Sequence, residues 1–326
     1  MATSREAHDR RFPPYELLEP LEGWARRAED KTHRLERLYH QTQARAWDPR
    51  AVLDELEAKH GGIHVPDDKR EALGHVFAII LWGELAAWNI AADLARVLPD
   101  VDAKMAATGQ VFDEARHFNV LRDYFARAKI VLPPLNPFGR RLLVKILETD
   151  SVLEKLYGMQ LLVENMALAI FKRVAASNIE PVLTDLLGYV ERDESRHVAL
   201  GVMYLPKLLA EASSFERAKN WVFNIELFLL TIGGGQLMDR HFEAVGIDHR
   251  ELGATAQRLH EQVLRQMRDD SGLPSGQKLR GAYGLTRRQQ KLMLDFLHPE
   301  GPISPGHARA RRALDRATHT IATWMG

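Results

Sequence analysis

A pentapeptide that occurs twice constrains this chain more than any other feature: Asp113-Glu114-Ala115-Arg116-His117 and Asp193-Glu194-Ser195-Arg196-His197. Each copy lies 30 residues after the glutamate of an apolar run. Glu84 sits in the stretch Ala78–Trp88 and Glu164 in Leu161–Leu168, so the second set is the first displaced by 80. A Glu and a His three apart share one helical face, and each pentapeptide can therefore present two ligands to one point. A lone Glu-x-x-His is common on a solvated face, which does not account for a doubled set with equal spacings. Glutamates among Leu, Ile and Trp are costly to bury unless their charge is compensated, and four in one core repel one another. Two divalent cations balance them. Glu84, Glu114, His117, Glu164, Glu194 and His197 thus predict a dinuclear metal site, with the ions about 3.5–4 Å apart as in two-metal sites generally. Carboxylate and imidazole donors suit iron or manganese, so Fe/Fe or Mn/Fe is expected.

The flanking residues fit the same picture. A metal-bound imidazole usually donates its other N–H to a carboxylate. Asp113 and Asp193 are placed to accept it across the hairpins, with Arg116 and Arg196 neutralising them. Residue 99, midway between Glu84 and Glu114, falls in the turn Leu98-Pro99-Asp100. Residue 179, midway between Glu164 and Glu194, falls in Ser177–Pro181. Both antiparallel hairpins therefore bring their ligands to one height, about 21 Å from the turn.

The expected helices run over 21–44, from Asp48-Pro49 onward, and over 69–97, 101–130, 141–176 and 181–204, with Pro206 beyond the last. Residues 215–232 add a fifth long helix before Gly233-Gly234-Gly235, which suggests a break or a close backbone contact. Helices over 251–269, 286–297 and 307–324 follow, with a Gly/Pro-rich loop at 271–283. No segment shows persuasive strand alternation. The fold class is all-α: a ferritin-like four-helix bundle with additional N- and C-terminal helices. The expected division is an N-terminal arm and helix over 1–68, the di-metal bundle over 69–250 and a C-terminal extension or lid over 251–326.

Lys plus Arg and Asp plus Glu both total 44, and there are no cysteines. That balance gives no general attraction to nucleic acid or anionic membrane. Without cysteine there is no disulfide, thiolate zinc site, intrinsic iron–sulfur cluster or cysteine nucleophile, so electrons for redox chemistry must come from outside. The N-terminus is unlike a secretory signal, and the apolar runs at 79–88 and 221–232 fall short of the ~20 residues that span a bilayer. A soluble cytoplasmic protein is the expectation.

These motifs resemble the ferritin-like di-metal carboxylate superfamily of ribonucleotide reductase small subunits and related oxidases, bacterial multicomponent monooxygenase hydroxylases, acyl-carrier-protein desaturases and rubrerythrins. The resemblance covers about residues 70–205. It implies Glu84, Glu114 and His117 on one metal and Glu164, Glu194 and His197 on the other, some carboxylates bridging, with O2 as co-substrate. It also implies an external electron donor (a reductase or ferredoxin) and a homodimer. No single subfamily is matched. Leu121 stands where the reductase has its radical tyrosine, and Met159 and Ala87 where ligand-binding oxidases have a Tyr–Val cross-link. Val190 replaces the extra histidine of arylamine oxygenases, and Ala167 and Leu168 the threonine of hydroxylases and desaturases.

Positions four and seven from the ligands, Gln110, Leu121, Leu168, Phe171, Val190 and Gly201, are expected to line a pocket for an apolar or aromatic substrate. Glu191 reads as a surface ion-pair partner and Glu226 as a buried hydrogen-bonded acid. Trp82 and Trp88 read as core. His60, His64, His75, His241, His249 and His260 read as structural or exposed, and Arg309, Arg311, Arg312 and Arg316 as a solvated face. Three functions follow: an O2-activating oxidase or oxygenase acting on a small organic molecule, a ferroxidase or peroxide scavenger, and a metal-stabilised binding or assembly subunit without turnover.

Overall fold

Several helix starts among the described residues coincide with side chains that take up free backbone N–H groups. Asp48 accepts from the N–H groups of Arg50 and Ala51, with Pro49 in the first turn, as expected from sequence. Asp100, Asn136, Ser151, Glu180 and Ser213 cap later helices in the same way. The computed structural model describes residues 33–98, 100–270, 287–297, 299 and 301–325. The expected arm at Pro13, Pro14 and Pro20, the first part of the 21–44 helix, Pro99 of the first turn and the loop at 271–283 lie outside them.

The elements in chain order are α1 (His33–Ala44), α2 (Pro49–His60), α3 (Asp67–Val97), α4 (Val101–Arg127), α5 (Pro137–Glu148) and α6 (Val152–Leu156). A π-helical turn (Tyr157–Val163) leads straight into α7 (Glu164–Ser177). Then come α8 (Pro181–Glu211), α9 (Ser214–Ala244), α10 (His249–Asp270), α11 (Arg287–Leu297) and α12 (Pro305–Met325). No strand occurs among the described residues. The hairpins α3–α4 and α7–α8 form the ferritin-like four-helix bundle. α9 packs on α3 and α5, and α10 on α7 and α8.

Three helix boundaries differ from the sequence expectation. The 141–176 helix is divided: α5 starts earlier and ends at Glu148, Ser151 caps a new start, and the π-helical turn precedes Glu164. α8 continues through Pro206 to Glu211. A proline inside a helix costs about 3 kcal/mol, and burial of Leu205 and Leu209 on either side of it offsets that here. α9 runs unbroken through its three glycines. Gly233 is there for close contact, since a Cβ on it would lie 2.6 Å from the Phe138 ring, whereas one on Gly235 would meet nothing within 4 Å.

Two apolar clusters occupy opposite ends of the bundle. One gathers Ile90, Leu94, Ala103, Ala107, Leu156 and Leu205 near the turn after α3. The other gathers Val76, Phe77, Tyr124, Phe171, Leu186 and Val190 at the far end. The buried polar side chains of both pentapeptides form a waist between them. α3 and α9, each 31 residues, are long and apolar enough to cross a membrane by length and composition, which corrects the estimate from the shorter apolar runs. In this fold both pack against other helices, and α3 carries Glu84 inward.

Candidate metal centre

All six expected ligand residues converge at the waist, each no more than 4 % exposed. Ligand atoms of Glu84, Glu114, His117 and Glu194 lie within 4.8 Å of one another, as do those of Glu114, Glu164, Glu194 and His197. Glu114 and Glu194 belong to both groups and are therefore the pair able to bridge. Glu84 with His117, and Glu164 with His197, form the two outer ends.

His197 Nδ1 meets Glu194 Oε2 at 2.8 Å, but three other donor atoms of the set are left over. Glu114 Oε2, Glu194 Oε1 and His117 Nδ1 are buried without a hydrogen-bond partner. His117 Nδ1 lies 3.0 Å from Glu194 Oε1, but outside hydrogen-bonding geometry. Orphaned buried acceptors of this kind are rare unless an ion meets them. The donor set, four carboxylates and two imidazoles with no sulfur, fits two hard or borderline divalent ions.

Protons balance the charge when metal is not considered. Burial, together with the Glu194 and Glu114 carboxylates, pushes Glu84 and Glu164 well above the ordinary carboxylate range. Burial would also raise Glu114 and Glu194, but the facing imidazoles overcome it and hold both low. Burial works against the charged form of His117 and His197, yet the surrounding carboxylates raise both. Protons can thus neutralise this set where cations would.

The supporting shell is reciprocal. Asp193 Oδ2 meets His117 Nε2 at 3.2 Å, and Asp113 Oδ2 meets His197 Nε2 at 3.3 Å, so each histidine leans on the other hairpin's aspartate. Arg116 reaches Asp113 (2.5 Å) and Asp193 (2.6 Å), and Arg196 reaches Asp113 (2.8 Å) and Asp193 (2.6 Å). This closes a buried four-membered ring of no net charge. Two participants were not anticipated from sequence. Thr42 of α1 donates to Asp113 and accepts from Arg196 Nε. The Trp47 indole donates to Asp193 at 2.8 Å, lies over His117 and carries Arg116 on its face. Their segment, polar and weakly periodic, carried no ligand spacing to mark them.

The expected pocket residues lie elsewhere. Gln110 is buried, and its amide donates to Glu114 and Glu164, both at 2.9 Å. Gln160, from the π-helical turn, in turn donates to Gln110 Oε1. Leu121, Phe171 and Val190 belong to one apolar core and Leu168 to the other. Gly201 makes room for Gln160, as a Cβ there would lie 2.6 Å from that side chain. Steps of four and seven stay on the ligand-bearing face and so lead into the bundle interior. A cavity of about 320 Å³ opens instead between the bundle and the outer helices, and none of the six lines it. Its wall includes Glu84 and Glu164 from the cluster, with Ile80, Leu143, Met166 and Ile170 among its apolar members.

Several other residues differ from their sequence reading. Glu226 is partly exposed and pairs with Lys145, and Trp82 is 48 % exposed. Glu191 pairs with Lys172, as read. His60 pairs with Asp185, and His75 stacks on His241.

The Methane/Phenol/Alkene Hydroxylase profile matches residues 3–212. The chain belongs to this family. As a Methane/Phenol/Alkene Hydroxylase family member it is a di-metal oxidoreductase of the ferritin-like superfamily. Among solved structures it is similar to a protein from Synechococcus with aldehyde deformylating oxidase activity, at 19 % identity and TM-score 0.56, covering 70 % of this chain and 98 % of that one. It is also similar to an R2-like ligand-binding oxidase variant with a reconstituted Mn/Fe cofactor, at 17 % identity and TM-score 0.58, covering 71 % and 92 %. At these identities the likeness is one of fold. No functionally curated protein matches the sequence.

Proposed function

We propose that this protein is an O2-dependent oxidase or oxygenase acting on a small, largely apolar organic molecule held in the cavity. One observation carries the reading: the wall of that cavity combines two glutamates of the buried cluster with a predominantly aliphatic surface. Such a site admits an organic molecule to the centre while excluding water, as pockets of this kind do. Glu84, Glu114, His117, Glu164, Glu194 and His197 would hold Fe/Fe or Mn/Fe, which supplies the redox chemistry with O2 when bound. Asp113 and Asp193 orient the imidazoles, and Gln110 holds Glu114 and Glu164 in position.

The electrons have an outside source, since the chain has no cysteine to hold a cluster of its own. On this reading they enter at the part-buried Trp47, whose indole is joined through Asp193 to His117. The assembly expected from the resemblance is a homodimer, and light scattering that gives a monomer overturns it.

Oxygen uptake by the Fe(II)-loaded protein, with and without candidate substrates, tests the reading. Gly83 lies on the cavity wall, with open space where its Cβ would stand. Gly83→Leu is expected to keep two-metal binding and to lose substrate-stimulated O2 uptake. Accumulation of many irons per chain would favour a ferroxidase, and metal binding with no O2 reaction a non-catalytic subunit.

A further inference from the structure

One polar group on the cavity wall belongs to neither the metal cluster nor its supporting ring. His260 of α10, a half-buried residue, lines the same space as Glu84 and Glu164, and its Nε2 atom is itself buried. One ring nitrogen is hydrogen-bonded to the Leu161 carbonyl. A carbonyl only accepts, so that nitrogen carries the proton. Nε2 has no protein partner, which identifies Nδ1 as the donor and Nε2 as a bare lone pair. Burial lowers the affinity of the ring for a second proton, and the pull of Glu261 does not reverse this. The imidazole is therefore neutral, with its tautomer set by its neighbour.

Other polar side chains of the wall are engaged. Gln257 donates to Glu261, Gln236 bonds Asp315 and Thr318, and His249 pairs with Asp239. Asn136 Nδ2 is unpartnered but is a donor. It cannot distinguish an alcohol from an ether, because both bring an acceptor oxygen. A buried acceptor without a donor is destabilising until something supplies one.

We propose that His260 is the specificity-determining residue of the cavity, accepting at Nε2 a hydrogen bond from an uncharged O–H or N–H group on an otherwise apolar substrate. The proposal rests on the reading of the cavity as the substrate site. Leu161, which braces the ring, is three residues before Glu164. An anchored substrate thus holds its donor group roughly one helical turn from a ligand glutamate. A carboxylate finds no positive charge at His260 and gains nothing from a lone pair facing it.

The test is anaerobic titration calorimetry on the metal-loaded protein with two isomeric pairs, 1-hexanol with methyl pentyl ether and benzyl alcohol with anisole. Within each pair composition is the same and only the alcohol donates. The wild-type protein is expected to bind at least one alcohol about tenfold more tightly than its ether, as one completed buried hydrogen bond allows. His260→Leu should bind the two alike, with ether affinity unchanged as the sign that the cavity is intact. His260→Gln, whose carbonyl restores an acceptor, should recover part of the preference. Equal binding by wild type, no binding of any of the four, or a preference that survives in His260→Leu overturns the proposal. O2 uptake is read separately. An alcohol preference without O2 consumption keeps the assignment of His260 and removes the oxidase reading, and substrate-stimulated O2 uptake without the preference does the reverse.

Discussion

Asp193→Asn is expected to cost about 3–5 kcal/mol, the penalty for removing one partner from a buried ion network. The wild-type carboxylate takes Arg196 on one oxygen and Arg116, His117 and Trp47 on the other. Asparagine leaves two guanidiniums, at most 5 % exposed, facing the single charge of Asp113. One amide position would also present N–H to a donor. For a chain of this length about 2 °C of melting temperature accompanies each kcal/mol, so a loss of about 6–10 °C is expected. His117 also loses the carboxylate that orients it, which should weaken metal binding about 10–100-fold. Adding Arg196→Met restores a neutral core pair, Asp113 with Arg116. The double variant should be more stable than Asp193→Asn alone, with metal affinity still impaired. Urea unfolding with and without Mn(II), alongside metal titration, measures both. A double variant whose cost is the sum of the two single costs, or unchanged metal affinity in Asp193→Asn, would refute the reasoning.

Gly201→Ala should destabilise by about 1–3 kcal/mol by driving a methyl group into Gln160. Gly188→Ala on the same helix, where a Cβ meets nothing within 4 Å, should stabilise by up to about 1 kcal/mol; denaturant titration of the pair separates sterics from helix propensity. Burial, opposed by His249 and aided by Glu243 and Asp315, raises Asp239 from its ordinary 3.8 to about 6. The folded state then holds this proton more tightly than the unfolded, so stability from this group falls as pH rises between those values, and Asp239→Asn should flatten that part of a melting profile. His241 is pulled by burial, with His75 and Arg240 adding to it, from 6.5 to about 4. Its contribution has the opposite sign, with stability lost as pH falls across that interval, and His241→Phe should remove the loss. Chelation of the metal-loaded protein should lower its melting temperature, since an ion at 100 times its dissociation constant contributes about 2.7 kcal/mol; an unchanged transition would argue against binding at the buried cluster.

Much of the centre was legible because its constraints are local. The pentapeptide fixes Glu and His on one face, and equal spacing about Leu98–Asp100 and Ser177–Pro181 sets their height. The cavity was not legible, because it lies between elements far apart in sequence. Ile80, Met166 and His260 share its wall through the docking of α10 on α7, and no periodicity within one helix reports that contact. Trp47 and Thr42 escaped for a related reason, since each reaches the aspartates from outside the repeat. The division before Glu164 turned on Ser151 as a cap and on a π-helical turn, whose extra backbone looping has no apolar rhythm of its own.

The crossed supports of the two histidines have a consequence for how the chain responds to damage. Neither hairpin carries the aspartate that meets Nε2 of its own imidazole: Asp113 serves His197, and Asp193 serves His117. A lesion in one half is therefore felt at the ligand contributed by the opposite half. Neither half, expressed apart, would keep the aspartate that orients its own histidine.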